Sequence, residues 1–260
     1  MLTAAQWRLQ MKKTTDALVI WEVKTGEADR VLTLLSAEGV LTAYARGSLR
    51  PKSKLTAPTA MLSYSNFELS SGKNMYNKAD ATAQRKFMHL FSDAENYALA
   101  VYFCELLRLL CPVEEETEQA EEYLRLMLNS LHLLDSGSKP AWQVKAVFEL
   151  SVMTLAGYMP AVSCCASCGA QGSGGVFFDA LSASWLCSDC AARLGRSLNA
   201  PASAMAAMDY IVESEPRRAY AFALAEDVRE RFCSCCEEYV RSHIDHRLPT
   251  LEFYRSISAL

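Results

Sequence analysis

Four cysteines stand at the spacing that metal chemistry requires. Cys165-Ala-Ser-Cys168 is followed, after 18 residues, by Cys187-Ser-Asp-Cys190. Two residues between cysteines let the chain turn so that both sulfurs meet one ion. Two such knuckles supply the tetrahedral thiolate shell that zinc favours. Gly169 follows the first knuckle, where a tight turn needs a residue without Cβ. A full four-thiolate shell leaves no open position for water, so the pattern reads as one structural Zn2+ and not a catalytic one. Cys164 could replace Cys165 as a ligand, but the two-residue spacing favours Cys165. Structural zinc contributes roughly 10–16 kcal/mol at neutral pH, enough to hold a small insert folded. Cys233, Cys235 and Cys236 lie in a predicted helix, where C-x-C-C does not aim three sulfurs at one point. They read as structural thiols. His243 and His246 have no acidic or cysteine partner at metal spacing and read as surface histidines.

A second chemistry lies far upstream. Between Arg46 and Lys54 four cations, Arg46, Arg50, Lys52 and Lys54, fall in nine residues, with Gly47 and Pro51 breaking regular structure. This reads as a flexible basic loop of the kind that touches phosphates, although a solvated connection explains the segment alone equally well. The whole chain of 260 residues carries a net charge of −4. Residues 1–90 hold 13 Lys+Arg against 7 Asp+Glu, while residues 91–260 hold 13 against 23. A basic first part on an acidic remainder points to an anionic partner for the first part only.

The elements that must position these groups differ along the chain. Thr15–Val23, Arg30–Leu35, Val40–Ala45 and Met61–Leu69 read as strands, and Asn74–Ala79 as a fifth. Five short strands in about 80 residues fit a small antiparallel barrel, which leaves few exposed edges. From about residue 82 the apolar period becomes helical. Helices are expected over Ala94–Leu110, next over a segment opened by the acidic run Glu114–Glu122, over Trp142–Leu155 with Gly157 as C-cap, and over Ala202–Ser214 and Ala219–His246. Val176–Phe178 and Trp185-Leu186 should form a hairpin between the knuckles.

Other classes find less support. No run of about 18 apolar residues predicts a membrane-spanning helix, and Met1–Thr14 lack a secretory stretch, so a cytoplasmic protein with reduced thiols is expected. There is no phosphate loop ending in Gly-Lys-Ser/Thr and no G-x-S-x-G turn, which favours a binding protein over an enzyme. A zinc-dependent enzyme acting on nucleic acid would need an open metal position or a second site. A transcription regulator reading DNA with a zinc ribbon would need cations there, yet residues 164–190 contain no Lys or Arg. An interaction scaffold that does not bind DNA is the remaining alternative.

Local motifs carry a resemblance. Ala17-Leu18-Val19-Ile20, then Gly26-Glu27-Ala28-Asp29-Arg30-Val31, Gly39-Val40-Leu41, Ala45-Arg46-Gly47 and Lys52-Ser53-Lys54 appear in order. Leu155-Ala156-Gly157-Tyr158-Met159-Pro160 then leads into the first knuckle. In this order they resemble the RecO family of bacterial DNA-repair proteins over about residues 14 to 190. The resemblance implies an α+β chain: an N-terminal five-stranded OB-fold β-barrel, then a helical-bundle domain with an inserted four-cysteine zinc ribbon. The corresponding divisions are residues 1–81 for the barrel, 82–162 with 192–260 for the helical domain, and 163–191 for the ribbon. Family members begin only a few residues before the first strand. The resemblance therefore implies that translation starts at Met11, or that the preceding segment, up to residue 13, is disordered.

It further implies a nucleoid-associated recombination mediator without turnover. Such a protein binds single- and double-stranded DNA and anneals complementary strands. It contacts the acidic C-terminal tail of single-strand-binding protein and works with RecR, and in many bacteria RecF, to load RecA. Expected DNA-binding cations are Lys24, Arg30, Arg46, Arg50, Lys52, Lys54, Lys73 and Lys78, with Trp21, Tyr44, Tyr64, Phe67 and Tyr76 as aromatics, about half of them core. For the tail peptide, Leu107, Arg108 and Arg125 could supply an apolar groove with a cationic rim.

Overall fold

Alternating apolar and polar residues build the first strands, and the computed structural model, which describes residues 12–71, 75–113 and 119–258, closes them into a barrel. The strands are β1 (Lys12–Thr25), β2 (Asp29–Ser36), β3 (Gly39–Ala45), β4 (Tyr64–Ser70) and β5 (Lys78–Arg85), in the antiparallel order β3-β2-β1-β4-β5. There follow α1 (Ala94–Leu110), α2 (Ala120–Ser136), α3 (Ala141–Leu155), β6 (Gly175–Asp179), β7 (Ser184–Cys187), α4 (Ser188–Arg193), β8 (Ala200–Pro201), α5 (Ala202–Glu213), α6 (Glu226–His243) and α7 (Pro249–Ser258). The expectations for residues 1–11, for Lys73 and for Glu114–Glu118 fall outside the described residues, whereas Lys12 and Lys13, expected in a disordered extension, lie in β1 and pair with β4.

The long strand β1 serves two neighbours. Its first half pairs with β4 through Lys12–Leu18, and its second half with β2 from Ala17 to Thr25. A register shift between Val19 and Trp21 bends the strand where it changes partner. The sheet closes without a sixth strand: Tyr44 N–H donates to Tyr76 O at 2.8 Å, and Tyr76 N–H to Thr42 O at 3.0 Å. Inside lie Ala17, Val19, Leu32, Leu34, Leu41, Phe67 and Leu69. Burying each of the larger ones stabilises the fold by about 1.5–3 kcal/mol.

The fifth strand departs from expectation. It runs over Lys78–Arg85, so that of the described part of the expected Asn74–Ala79 only Lys78 and Ala79 belong to it. Its inward positions are alanines, Ala79 and Ala81, which fill a narrow barrel but give almost no hydrophobic alternation to read.

Two compact units result, one formed by residues up to Asp135 together with those from Thr250, the other by Ser136–Pro249. The first extends past residue 81, since α1, α2 and α7 pack in it with the barrel. Asp93 caps α1 by accepting from Asn96 N–H at 3.0 Å. Beyond the end of α1, Pro112 O accepts from Val40 N–H at 3.0 Å. Helix α7, which the sequence did not announce, starts on a proline, and Thr250 bonds to the Glu105 carboxylate.

In the second unit α3, α5 and α6 form the helical core. Helix α3 ends as expected: Gly157 has φ +87°, and Tyr158 N–H donates to Met153 O at 2.9 Å. Helix α6, however, begins at Glu226, seven residues after the expected start at Ala219. Tertiary contacts explain the difference. Tyr220 O accepts from Lys139 Nζ at 2.7 Å, and Gln143 Nε2 donates to Tyr220 O and Phe222 O at 3.1 and 3.0 Å. The Phe222 ring packs edge-on against Trp142, Tyr210 and Phe232. These partners hold the segment out of the helix, in turns and irregular backbone, against its helical propensity. Among the described residues no helix is long and apolar enough to cross a membrane.

Candidate metal centre and nucleic-acid interface

The knuckles are shaped by the backbone before any metal is considered. Gly169, at φ +71°, turns the first one so that its N–H donates to Cys165 O at 2.9 Å. Trp185, on β7, is buried and anchors the hairpin by donating from Nε1 to Val162 O at 2.8 Å. Gly172 must lack a side chain, because a Cβ there would stand 2.9 Å from the Trp185 ring. The second knuckle runs from the end of β7 into α4, so Cys187 and Cys190 are held by a strand end and a helical turn.

The sulfurs of Cys165, Cys168, Cys187 and Cys190 all lie within 4.8 Å of one another. Cys168 and Cys187 are 3.8 Å apart. That is about the edge of a sulfur tetrahedron built on bonds near 2.3 Å. Cys165, not Cys164, belongs to the group.

The electrostatics favour a cation at the centre. Burial works against a thiolate at Cys165, but the N–H groups of Cys187, Ser167 and Cys168 donate to its sulfur and bring its pKa down to about 6. Cys190 is lowered by hydrogen bonds from the Ser167 hydroxyl and from Arg193, whose Nη2 lies 2.8 Å from the sulfur. At Cys168 the Ala170 N–H favours the thiolate, yet sharing protons with Cys165, Cys190 and Cys187 pushes the pKa up to about 12. Such a cluster ionises in part and then resists further charge. A divalent ion at its centre removes that resistance, so the donor set fits a soft or borderline metal. The place of Cys190 in the cluster follows from knuckle spacing, whereas Arg193, three residues further along α4, carries no spacing signal of its own.

Cys233, Cys235 and Cys236 lie on α6 outside this group. Burial raises their thiols, to about 11 at Cys233, about 12 at Cys235 and well above the usual value at Cys236. They are inert packing groups. His243 Nδ1 lies 3.0 Å from Tyr239 O, and His246 is exposed.

The basic segment after β3 is folded back on itself by hydrogen bonds. Residues 46–63 fold into consecutive turns, with Ser53 N–H donating to Arg50 O at 3.0 Å and Thr59 N–H to Leu55 O at 3.1 Å. Its far end is zipped to β1 by Leu62 N–H to Val19 O at 2.8 Å. Side chains from the β1–β2 turn supply the rest of its order. On this framework Arg46, Arg50, Lys52 and Lys54 are all exposed, as is Lys24 on β1.

Arg30 corrects the expectation placed on it. It is 7% exposed, its Nε lies 3.3 Å from Glu22 Oε2, and its Nη1 donates to Thr56 O at 3.0 Å and Thr59 Oγ1 at 2.9 Å. A guanidinium so engaged is not offered to a phosphate. Lys78 opens β5. Of the aromatics, Phe67 is core and Tyr76 packs against it, whereas Trp21, Tyr44 and Tyr64 are partly exposed. Tyr44 donates its hydroxyl to Asp29.

The expected peptide groove is also corrected. Leu107 is fully buried, so it cannot line an open groove. Arg108 stacks over Trp21 at 4.4 Å, and Arg125 pairs with Glu121 at 3.0 Å.

Comparison with known proteins decides the family. Residues 11–87 match the family model described as Recombination protein O N terminal, and residues 91–252 match Recombination protein O C terminal. The chain belongs to the recombination protein O family. Among its relatives, the DNA repair protein RecO of Acetivibrio thermocellus is 32% identical over 95% of this chain and 97% of its own. That of Symbiobacterium thermophilum is 29% identical over 92% and 94%, and that of Anaeromyxobacter sp. (strain K) 31% over 94% and 96%. The expected family and fold class are thus met: an α+β RecO-type chain with a five-stranded barrel, helices and a four-cysteine ribbon.

Proposed function

We propose that this chain is a DNA-binding recombination mediator. It binds single- and double-stranded DNA, anneals complementary strands, and acts with RecR, and with RecF where present, to help load RecA on DNA coated by single-strand-binding protein. The observation that carries the reading is the ordered basic segment on the barrel, where Arg46, Arg50, Lys52 and Lys54 stand exposed. Cations fixed on a small barrel neutralise phosphates at low ordering cost, and the partly exposed Tyr44 and Tyr64 are available for base stacking. Annealing consumes no nucleotide in this reading, because the protein's work is to neutralise two strands at once.

Zn2+ on Cys165, Cys168, Cys187 and Cys190 serves as a structural staple of the second unit. Bound there, it would cross-link the two knuckles and supply no chemistry on DNA. The acidic tail of single-strand-binding protein remains a partner in this reading, but at a surface other than Leu107. The protein works in the cytoplasm at the nucleoid.

One assay tests the core of the reading. Complementary oligonucleotides are mixed with the protein, with and without single-strand-binding protein, and annealing is followed by fluorescence without nucleotide. Acceleration is expected, with DNA affinity falling steeply as salt rises. Replacing Arg46, Arg50, Lys52 and Lys54 together by alanine should weaken binding and flatten the salt dependence; unchanged binding removes the segment from the site.

A further inference from the structure

The motif Ala28-Asp29-Arg30 at the β1–β2 turn holds the basic segment from both ends. Asp29 Oδ1 accepts from Gly47 N–H at 2.6 Å, and its Oδ2 accepts from the Tyr44 hydroxyl at 2.5 Å. Ala28 O accepts from Leu49 N–H at 2.8 Å. Arg30 reaches the other end at Thr56 and Thr59, and Thr56 Oγ1 returns to Ser48 O at 2.8 Å. Three consecutive residues therefore grip the segment before, within and after its cations. Gly47 sits at φ +67°, which lets Asp29 approach its N–H and leaves the Arg50 side chain lying over it.

We propose that Asp29 and Arg30 are positioning residues for DNA binding: they do not touch DNA, but clamp residues 46–59 so that Arg46, Arg50, Lys52 and Lys54 present a preformed phosphate-binding surface. The proposal rests on the reading that this segment contacts DNA. Its physical basis is entropic as well as geometric. A free segment must be ordered when it binds, and each immobilised cation loses rotamer and backbone freedom. The clamp makes that payment during folding. An acidic residue beside a phosphate surface is otherwise unfavourable, so the placement of Asp29 under the cations calls for a structural reason.

The sign of two substitutions separates clamp from charge. Asp29→Ala removes a negative charge beside the cations. If Asp29 is only an acidic neighbour, DNA binding tightens; if it is a clamp, binding weakens. Arg30→Lys keeps the charge but cannot reach Thr56 and Thr59 with a planar fork. If charge alone matters, Arg30→Lys binds as the parent does. The expected result is a loss of about tenfold in affinity for single-stranded oligonucleotides in each variant, in line with losing a charge-assisted contact. Trypsin should cut faster after Arg46, Lys52 or Lys54 in each variant, Arg50 being protected by Pro51, while hydrogen exchange in β1, β2 and β4 stays as in the parent. Should Arg30→Lys unfold the barrel, Thr59→Val removes one clamp contact without a charge change and gives the same readouts. Tighter binding by Asp29→Ala, or unchanged affinity in both Asp29→Ala and Thr59→Val, overturns the clamp. The tetra-alanine variant keeps the two readings apart. If it binds DNA normally, the segment is not the site; if it loses binding while the clamp variants keep theirs, only the clamp fails.

Discussion

At the scale of single residues, the protein repeatedly sets one charge against a short list of fixed donors. Asp29 shows the effect. Its hydrogen bonds from Tyr44 and then from Gly47 favour the ionised carboxylate and hold its pKa below the ordinary value. The sign follows directly: a depressed folded pKa contributes stability above the unfolded value, and that contribution is lost as pH falls through the folded one. The carboxyl resonance of Asp29 in an NMR titration should therefore show a midpoint below that of an exposed aspartate. Tyr44→Phe removes the largest cause and should move the midpoint upward. A midpoint that stays put in Tyr44→Phe would mean that the hydroxyl does not hold the carboxylate. At the metal centre the same logic applies to sulfur, with Arg193 and backbone N–H groups preparing the cluster for a cation.

At the scale of elements, the α3–α6 contact holds a buried ion triad that no sequence period announces. Lys145 Nζ lies 2.7 Å from Glu149 Oε1 and 3.1 Å from Glu237 Oε2, all three residues being buried. Burial alone would lower the lysine's pKa, but the two carboxylates more than offset this and keep it charged. Lys145→Met leaves two buried carboxylates without their ammonium and should cost about 3–5 kcal/mol. Urea unfolding followed by circular dichroism measures this, and a loss below about 1 kcal/mol would show that the ammonium is dispensable. The exposed pair Arg125–Glu121 gives the contrast. Its removal should change stability by about 0.5 kcal/mol or less.

At the scale of the whole molecule, the metal centre and the basic segment belong to different compact units, so loss of metal should be felt unevenly. The ribbon is a small hairpin with two knuckles and little core beyond Val176, Phe178 and Trp185. The barrel has its own core around Phe67 and Leu34. Chelation should therefore release hydrogen-exchange protection first at the β6–β7 amides, with β1 and β2 holding theirs. Equal loss in both sets would show that the barrel depends on the metal. Purified protein should contain one Zn2+ per chain by elemental analysis.

What the sequence determined by itself was local. The knuckle spacing, the bounds of α1, the Gly157 cap and the first four strands follow from short-range rules: a turn of fixed length, an apolar period, a residue tolerant of positive φ. The cationic run was equally plain. Tertiary structure decided the rest, because each remaining feature depends on a partner distant in the chain. Whether Ala79 and Ala81 belong to a strand depends on Phe67 needing small neighbours. Whether residues 219–225 join the helix depends on Gln143 and Trp142. Arg30 looks like any surface cation in sequence, and becomes an internal tether only because Thr56 and Thr59 fold back onto it. Leu107 looked available for a peptide, and packing removed it. Charge and spacing are properties of the chain, whereas exposure is a property of the fold. That is why the four cysteines that cluster could be named from the sequence, while the division of the cations into those that face solvent and those that hold the structure could not.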